Sequence, residues 1–371
     1  MKAARVLAAL ALLAASAVGP SAAATAAAPH VPVYAYFYQW FNKSSWDRAK
    51  ADTPLAGRYS SDDPHLLRDQ VRQARGAGID GFLTSWKSTP TLNRRLELLL
   101  RVAAAEHFTV GVVYEALDFT RHPLPVSTVR SDMLYLVQRW GADLRSGRFA
   151  RPLVIWTGTD QYSLADVRSV RAALGDRAYL LAASRSVAGY ERLAPFVDGE
   201  AYYWSSANPD SASTPAKLSE MSAAVHARHD MWIAPAAPGF DGRTLGHHRV
   251  IARNSGRTLL HSLTNASATA PDAIGLISWN EWSENTYVEP GHRYGTRDLR
   301  VLRDYLMPRE ATYGHAPALA ASTGMWSGLR AGLALLLVTV LGTMLLAWRG
   351  RRGAREPIQN DPLRFSDRTG T

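Results

Sequence analysis

The chain has 371 residues, 47% of them hydrophobic and none of them cysteine, with 42 basic against 32 acidic side chains for a formal charge of +10. Without cysteine, disulfide scaffolds, thiol nucleophiles and Cys-based zinc or redox centres are excluded, and the fold must rest on its own core. The charge is no nucleic-acid signal, because much of it sits near the two ends (Lys2, Arg5, Arg349, Arg351, Arg352, Arg355) and nothing between resembles a phosphate-binding stripe.

Residues 1–28 carry Lys2 and Arg5, an apolar stretch over 6–18 and then small alanine-rich residues, which is the make-up of a secretory signal peptide cleaved after Ala24 or Ala28. From 29 to 308, strand-like and helix-like stretches alternate. Strands are expected over 31–38, 79–86, 109–116, 152–156, 178–183, 199–204, 231–237 and from 274 into 277. Helices are expected over 62–76, 92–106, 126–141, 164–174, 187–193, 216–227, 245–264 and 296–306. Ser60 to Asp63 offer caps for the first helix, Gly76 and Gly78 stop it, and Pro215 starts the sixth. Strands and helices paired in this order over about 280 residues predict a single α/β domain, a (β/α)8 TIM barrel. A doubly wound open sheet is the alternative, but it would want a glycine-rich fingerprint after the first strand, and there is none.

Residues 309–324, rich in Pro, Ala and Ser, read as a linker. Residues 325–348, with an uncharged apolar run over 331–348, read as one transmembrane helix. The arginines that follow place 349–371 in the cytoplasm as a basic tail and the barrel outside. The expected protein is thus single-pass in the cell membrane, with an extracytoplasmic N-terminal domain.

In such barrels the C-terminal ends of the strands carry the active-site face. Here those ends hold Tyr36, Tyr38 and Trp40, then Trp86, Glu115, Trp156, the run Tyr202, Tyr203 and Trp204, and finally Trp279 and Trp282. Six of the eleven tryptophans fall there, which points to an aromatic cleft suited to the apolar faces of sugar rings. The last strand runs into Trp279-Asn280-Glu281-Trp282-Ser283-Glu284, and two carboxylates after a buried strand need partners or a task. Glu281 and Glu284 converge only if the backbone turns after Glu281; tryptophan walls would then raise one carboxyl pKa. The plain alternative is that Glu281 caps a turn and Glu284 is solvated. No HExxH, calcium-loop or GxSxG pattern occurs, so neither a catalytic metal nor a cofactor is expected, nor a serine hydrolase of that type.

The segment 279–290, continuing into His292-Arg293-Tyr294-Gly295, resembles glycoside hydrolase family 99-like proteins, a group of endo-α-mannosidases and endo-α-1,2-mannanases. Supporting matches are the aromatic first strand, Gly78-Ile79-Asp80-Gly81 with Ser85-Trp86, and Pro238-Gly239-Phe240-Asp241. The resemblance implies a barrel that cleaves α-mannosidic bonds of an oligo- or polysaccharide such as a mannan, retaining configuration. By motif position, Glu281 would be the base acting on the sugar 2-hydroxyl and Glu284 the acid and then base. Tyr36, Trp86, Glu115 and Tyr202 or Tyr203 would touch sugar, with Trp279 and Trp282 walling the cleft. Asn285 stands where many relatives have glycine, and Ser283 where histidine or glycine is common; both border the pair. Two readings of other classes stand beside this one: a catalytically silent carbohydrate-binding barrel, and a polysaccharide-assembly protein.

Overall fold

A strand buried on both faces must be apolar at every position, and Val33–Tyr38 (β1) is: all six residues are buried. Burial is as complete, apart from some first residues, in Gly81–Trp86 (β2), Thr109–Tyr114 (β3), Leu153–Trp156 (β4), Tyr179–Ala182 (β5), Gly199–Ala201 (β6) and Met231–Ala236 (β7), although β2 carries Thr84 and Ser85 and β6 carries Glu200. A two-stranded antiparallel ribbon, Phe240–Asp241 (β8) and Val250–Ile251 (β9), precedes the last barrel strand, Ala273–Leu276 (β10). The computed structural model describes residues 30–118, 120–145 and 149–307. In it the parallel strands close in the order β1-β10-β7-β6-β5-β4-β3-β2, the expected eight-stranded barrel.

Strand alternation sorts the core into two layers. Val33, Ala35 and Phe37 pack outward with Leu67 and Val71 of the first helix, whereas Tyr34, Tyr36 and Tyr38 fill the barrel with Leu83, Ile155, Leu181 and Ile233. The outer helices are Pro64–Gly76 (α1), Pro90–Ala105 (α2), Val126–Trp140 (α3), Leu164–Leu174 (α4), Val187–Leu193 (α5), Ser213–His226 (α6), Arg257–Ser267 (α7) and Arg297–Leu306 (α8). Local chemistry starts several of them. Asp63 caps α1 by accepting from the amides of His65 and Leu66, Thr89 caps α2 ahead of Pro90, and Ser163 with Asp166 forms a capping box on α4.

One expected element is corrected. No helix spans 245–264; the β8–β9 ribbon and two short 3-10 turns occupy its first half, and α7 begins at Arg257. Gly246 (φ 81°), Ser255 (φ 57°) and Gly256 (φ 93°) are all left-handed, which breaks any continuous right-handed helix. The sixth strand is also shorter than expected, so Tyr202, Tyr203 and Trp204 lie beyond it. The expected signal peptide (1–28), linker (309–324), transmembrane helix (325–348) and basic tail (349–371) lie outside the described residues. Among the described residues no helix is long and apolar enough to cross a membrane.

Candidate active site

Beyond β10 the chain leaves the barrel and returns. The Ile277–Ser278 peptide is cis, and the Ser278 amide donates to the Thr286 carbonyl at 2.9 Å. The amides of Val288 and Glu289 return to the carbonyls of Ser278 and Trp279 at 3.0 and 2.9 Å. The turn between takes Asn285 to a left-handed φ of 55°. Two further clamps fix the loop: the Glu281 amide donates to Ser278 Oγ at 2.8 Å, and Asn280 imitates a strand against β1. Its Oδ1 accepts the Tyr38 amide at 2.7 Å while its Nδ2 donates to the Tyr38 carbonyl at 2.9 Å. The turn required to bring Glu281 and Glu284 together is therefore built by hydrogen bonds.

Both carboxyls are perturbed. Glu281 is 7% exposed and accepts from the Ser283 amide at 2.9 Å; burial, then the charge of Glu284, push its pKa up to about 8. Burial also raises Glu284, with Ser205, His247 and Arg121 partly offsetting it. Glu115, after β3, accepts from Ser85 Oγ at 2.8 Å and Thr157 Oγ1 at 3.3 Å, and burial raises it too. Tyr38 feels all three acids, and its hydroxyl lies 2.8 Å from that of Tyr203. Burial, followed by the charges of Glu281, Glu284 and Glu115, holds the Tyr38 hydroxyl far above its ordinary pKa, so it stays a neutral donor. Burial thus pushes both carboxyls upward, and the charge of Glu284 adds to the rise at Glu281. Such a pair can give a proton at one oxygen and take one at another.

The aromatic residues divide by strand parity. Tyr36 points into the barrel and meets the Tyr203 ring edge-on at 5.0 Å; Tyr203 packs with the interior layer. Tyr202 instead packs with Trp204 against the outer layer, so of the two tyrosines it is Tyr203 that joins the acids. Three tryptophans expected at the cleft, Trp86 as a sugar contact and Trp279 and Trp282 as walls, have no exposed surface. Trp86, of outward parity, is fully buried against Tyr114 and Trp140 and donates to Asn93 at 3.0 Å. Trp279 is fully buried beside Phe82. Trp282 is fully buried, stacked on Tyr287 at 3.7 Å.

Sequence reasoning passed over the groups that hold this face. Ser85 and Thr157 share the inward parity of Leu83 and Ile155, and parity is the signal that would have found them. Lys50, whose charge acts on Glu281, and His247, whose charge acts on Glu284, come from loops, the second of which reads as helix in the sequence. Glu289 is the hub of the loop. It accepts from Gln70 Nε2 at 2.6 Å, Tyr59 Oη at 2.8 Å and Trp282 Nε1 at 3.2 Å, and burial lifts it to about 7. Among the described residues no group of three or more His, Cys, Asp or Glu is arranged to hold a metal ion.

Comparison with known proteins agrees with this architecture. The family model for glycosyl hydrolase family 99 matches residues 30–318. A human glycoprotein endo-alpha-1,2-mannosidase-like protein is 22% identical over 284 residues, covering 70% of this chain and 61% of the human one. The mouse counterpart is 21% identical, with 62% of its length covered. The chain thus spans about three fifths of the curated relatives it matches. A solved GH99 endo-alpha-mannosidase from Bacteroides thetaiotaomicron superposes with a TM-score of 0.63 at 20% identity, covering 74% of this chain and 95% of that one. A second solved structure, a glycoside hydrolase-like protein, gives a TM-score of 0.59 at 14% identity. At these identities the likeness to the solved structures is one of fold.

Proposed function

Because the chain belongs to glycosyl hydrolase family 99, we propose that it hydrolyses α-mannosidic bonds within a mannose-containing glycan, with Glu281 and Glu284 as the working pair. The observation that carries this reading is the pair of buried carboxyls, both pushed upward, beside the Tyr38–Tyr203 hydroxyls. In the first step Glu281 as carboxylate takes the proton of the sugar 2-hydroxyl. The freed oxygen forms a bond to C1, the C1–O glycosidic bond breaks, and Glu284 gives its proton to the departing oxygen. In the second step Glu284 takes a proton from water, the water oxygen attacks C1 and opens the 1,2-anhydro ring, and Glu281 returns its proton to O2. One water is consumed, C1 is inverted twice, and the net outcome is retention. This differs from the scheme in which a carboxylate attacks carbon itself.

The neutral Tyr38 and Tyr203 hydroxyls supply donors to sugar oxygens, and Glu115, anchored by Ser85 and Thr157, supplies an acceptor for a hydroxyl. The same proposal places the barrel on the outer side of the cell membrane, held there by the apolar segment 331–348; this part rests on the sequence. The test is incubation of the full-length protein with α-1,2-linked mannan, α-1,6-linked mannan and an α-glucan, reading released oligosaccharides by mass. Glu281→Gln and Glu284→Gln are each expected to lower turnover by about 10²–10⁴-fold while glycan binding persists. No product from any mannan, or full activity in Glu284→Gln, would overturn the assignment.

A further inference from the structure

Among the described residues Trp40 is the tryptophan left most open, with 42% of its surface in solvent. It lies two residues beyond β1, on the face that carries the acids. Its indole packs against the Tyr38 ring, centroids 4.4 Å apart and planes 32° apart. Tyr38 is the residue whose hydroxyl meets Tyr203 and feels the charges of Glu281, Glu284 and Glu115. One side of the indole is therefore backed by the centre of the site, and much of the remainder faces water.

Nothing about this exposure comes from a loose chain. On one side Gln39 is buried and its carbonyl accepts from Arg95 Nη1 at 2.9 Å. On the other, Phe41 is buried, stacked on Trp46 at 4.8 Å, and its amide and carbonyl both bond Ser61, at 3.2 and 2.9 Å. Arg95 is locked in turn by two hydrogen bonds to Asp62 at 2.9 and 2.6 Å. A large apolar ring held rigidly in water beside a polar cleft gains nothing for folding, since its burial would be the favourable state. A rigid ring of this kind binds a ligand at low entropic cost.

We infer that Trp40 is the stacking platform for a sugar ring one subsite removed from the bond that is cut. A platform outside the acid pair binds a ring that takes no part in the chemistry, and so it rewards chains longer than a disaccharide. The inference rests on the glycan-hydrolase reading for its substrate and deepens it toward cleavage within chains.

The experiment compares α-1,2-linked manno-oligosaccharides of two, three, four and five rings, with full-length wild type, Trp40→Ala and Trp40→Phe. In the wild type kcat/KM rises with length and then levels off. Trp40→Ala is expected to remove one step of that rise, about tenfold and carried on KM, whereas Trp40→Phe keeps most of it. An equal loss at every length, or no loss at any, overturns the platform. Should no oligosaccharide be cut, calorimetric binding of the tetrasaccharide to Glu284→Gln and to Glu284→Gln/Trp40→Ala decides separately. Weaker binding in the double variant keeps the platform and removes the hydrolase reading; equal binding removes the platform.

Discussion

Glu200 offers the sharpest test of the electrostatics. It sits in β6 with no exposed surface, its Oε1 accepts the Ser184 amide at 2.7 Å, and its Oε2 has no partner among the described residues. Burial pushes its pKa from 4.5 up to about 8. The folded state therefore holds a proton that the unfolded chain releases above pH 4.5. In that window the native form binds more protons, so stability falls as pH rises, by about 1.4 kcal/mol per pH unit, and levels off above pH 8. Glu200→Gln fills the same space, keeps an oxygen for the Ser184 amide and never ionises. Between pH 6 and pH 9 it should gain about 3 kcal/mol on the wild type, most of the change lying below pH 8. Urea unfolding of both proteins at the two pH values measures this gap directly. A difference that is the same at pH 6 and pH 9 would show that Glu200 titrates like an ordinary carboxyl, and the argument from burial would be wrong.

Other consequences are equally measurable. Because Glu281 has to act as carboxylate and is held up to about 8 by burial and then by Glu284, kcat/KM should rise with pH toward 8 as its proton leaves; a profile flat from pH 5 to pH 8 contradicts Glu281 as the base. Glu289→Leu leaves the Tyr59 hydroxyl, Gln70 amide and Trp282 indole N–H without their acceptor, and should destabilise by about 2–4 kcal/mol in a denaturant titration. Asp298→Ala strands the buried Arg253 guanidinium, which also donates to the Asn285 carbonyl and lies over Tyr287 and Tyr294. A loss of about 3–5 kcal/mol is expected, with a matching fall in melting temperature.

The barrel was legible in the chain because most of its strands are largely apolar runs alternating with helices, and α4 and α5 begin and end where their spacing predicts. The position of Glu281 and Glu284 beyond the last strand was legible too, since two acids so close to a buried strand are conspicuous. What the sequence hid was orientation. A strand buried on both faces gives little sign of which parity faces inward, so Trp86 reads like Tyr36 although one packs outward and the other inward. The ribbon at 240–251 was hidden for a different reason: its strands are two residues each, too short for an alternating pattern to show.

The pairing of Asn280 with Tyr38 joins residues 242 positions apart in the chain. That clasp ties the end of the first strand to the loop after the last, at the seam where the cylinder closes on itself. Under the proposed function, turnover is therefore a reporter of that closure, and a chain truncated before residue 273 lacks both the last strand and the loop and is expected to show none.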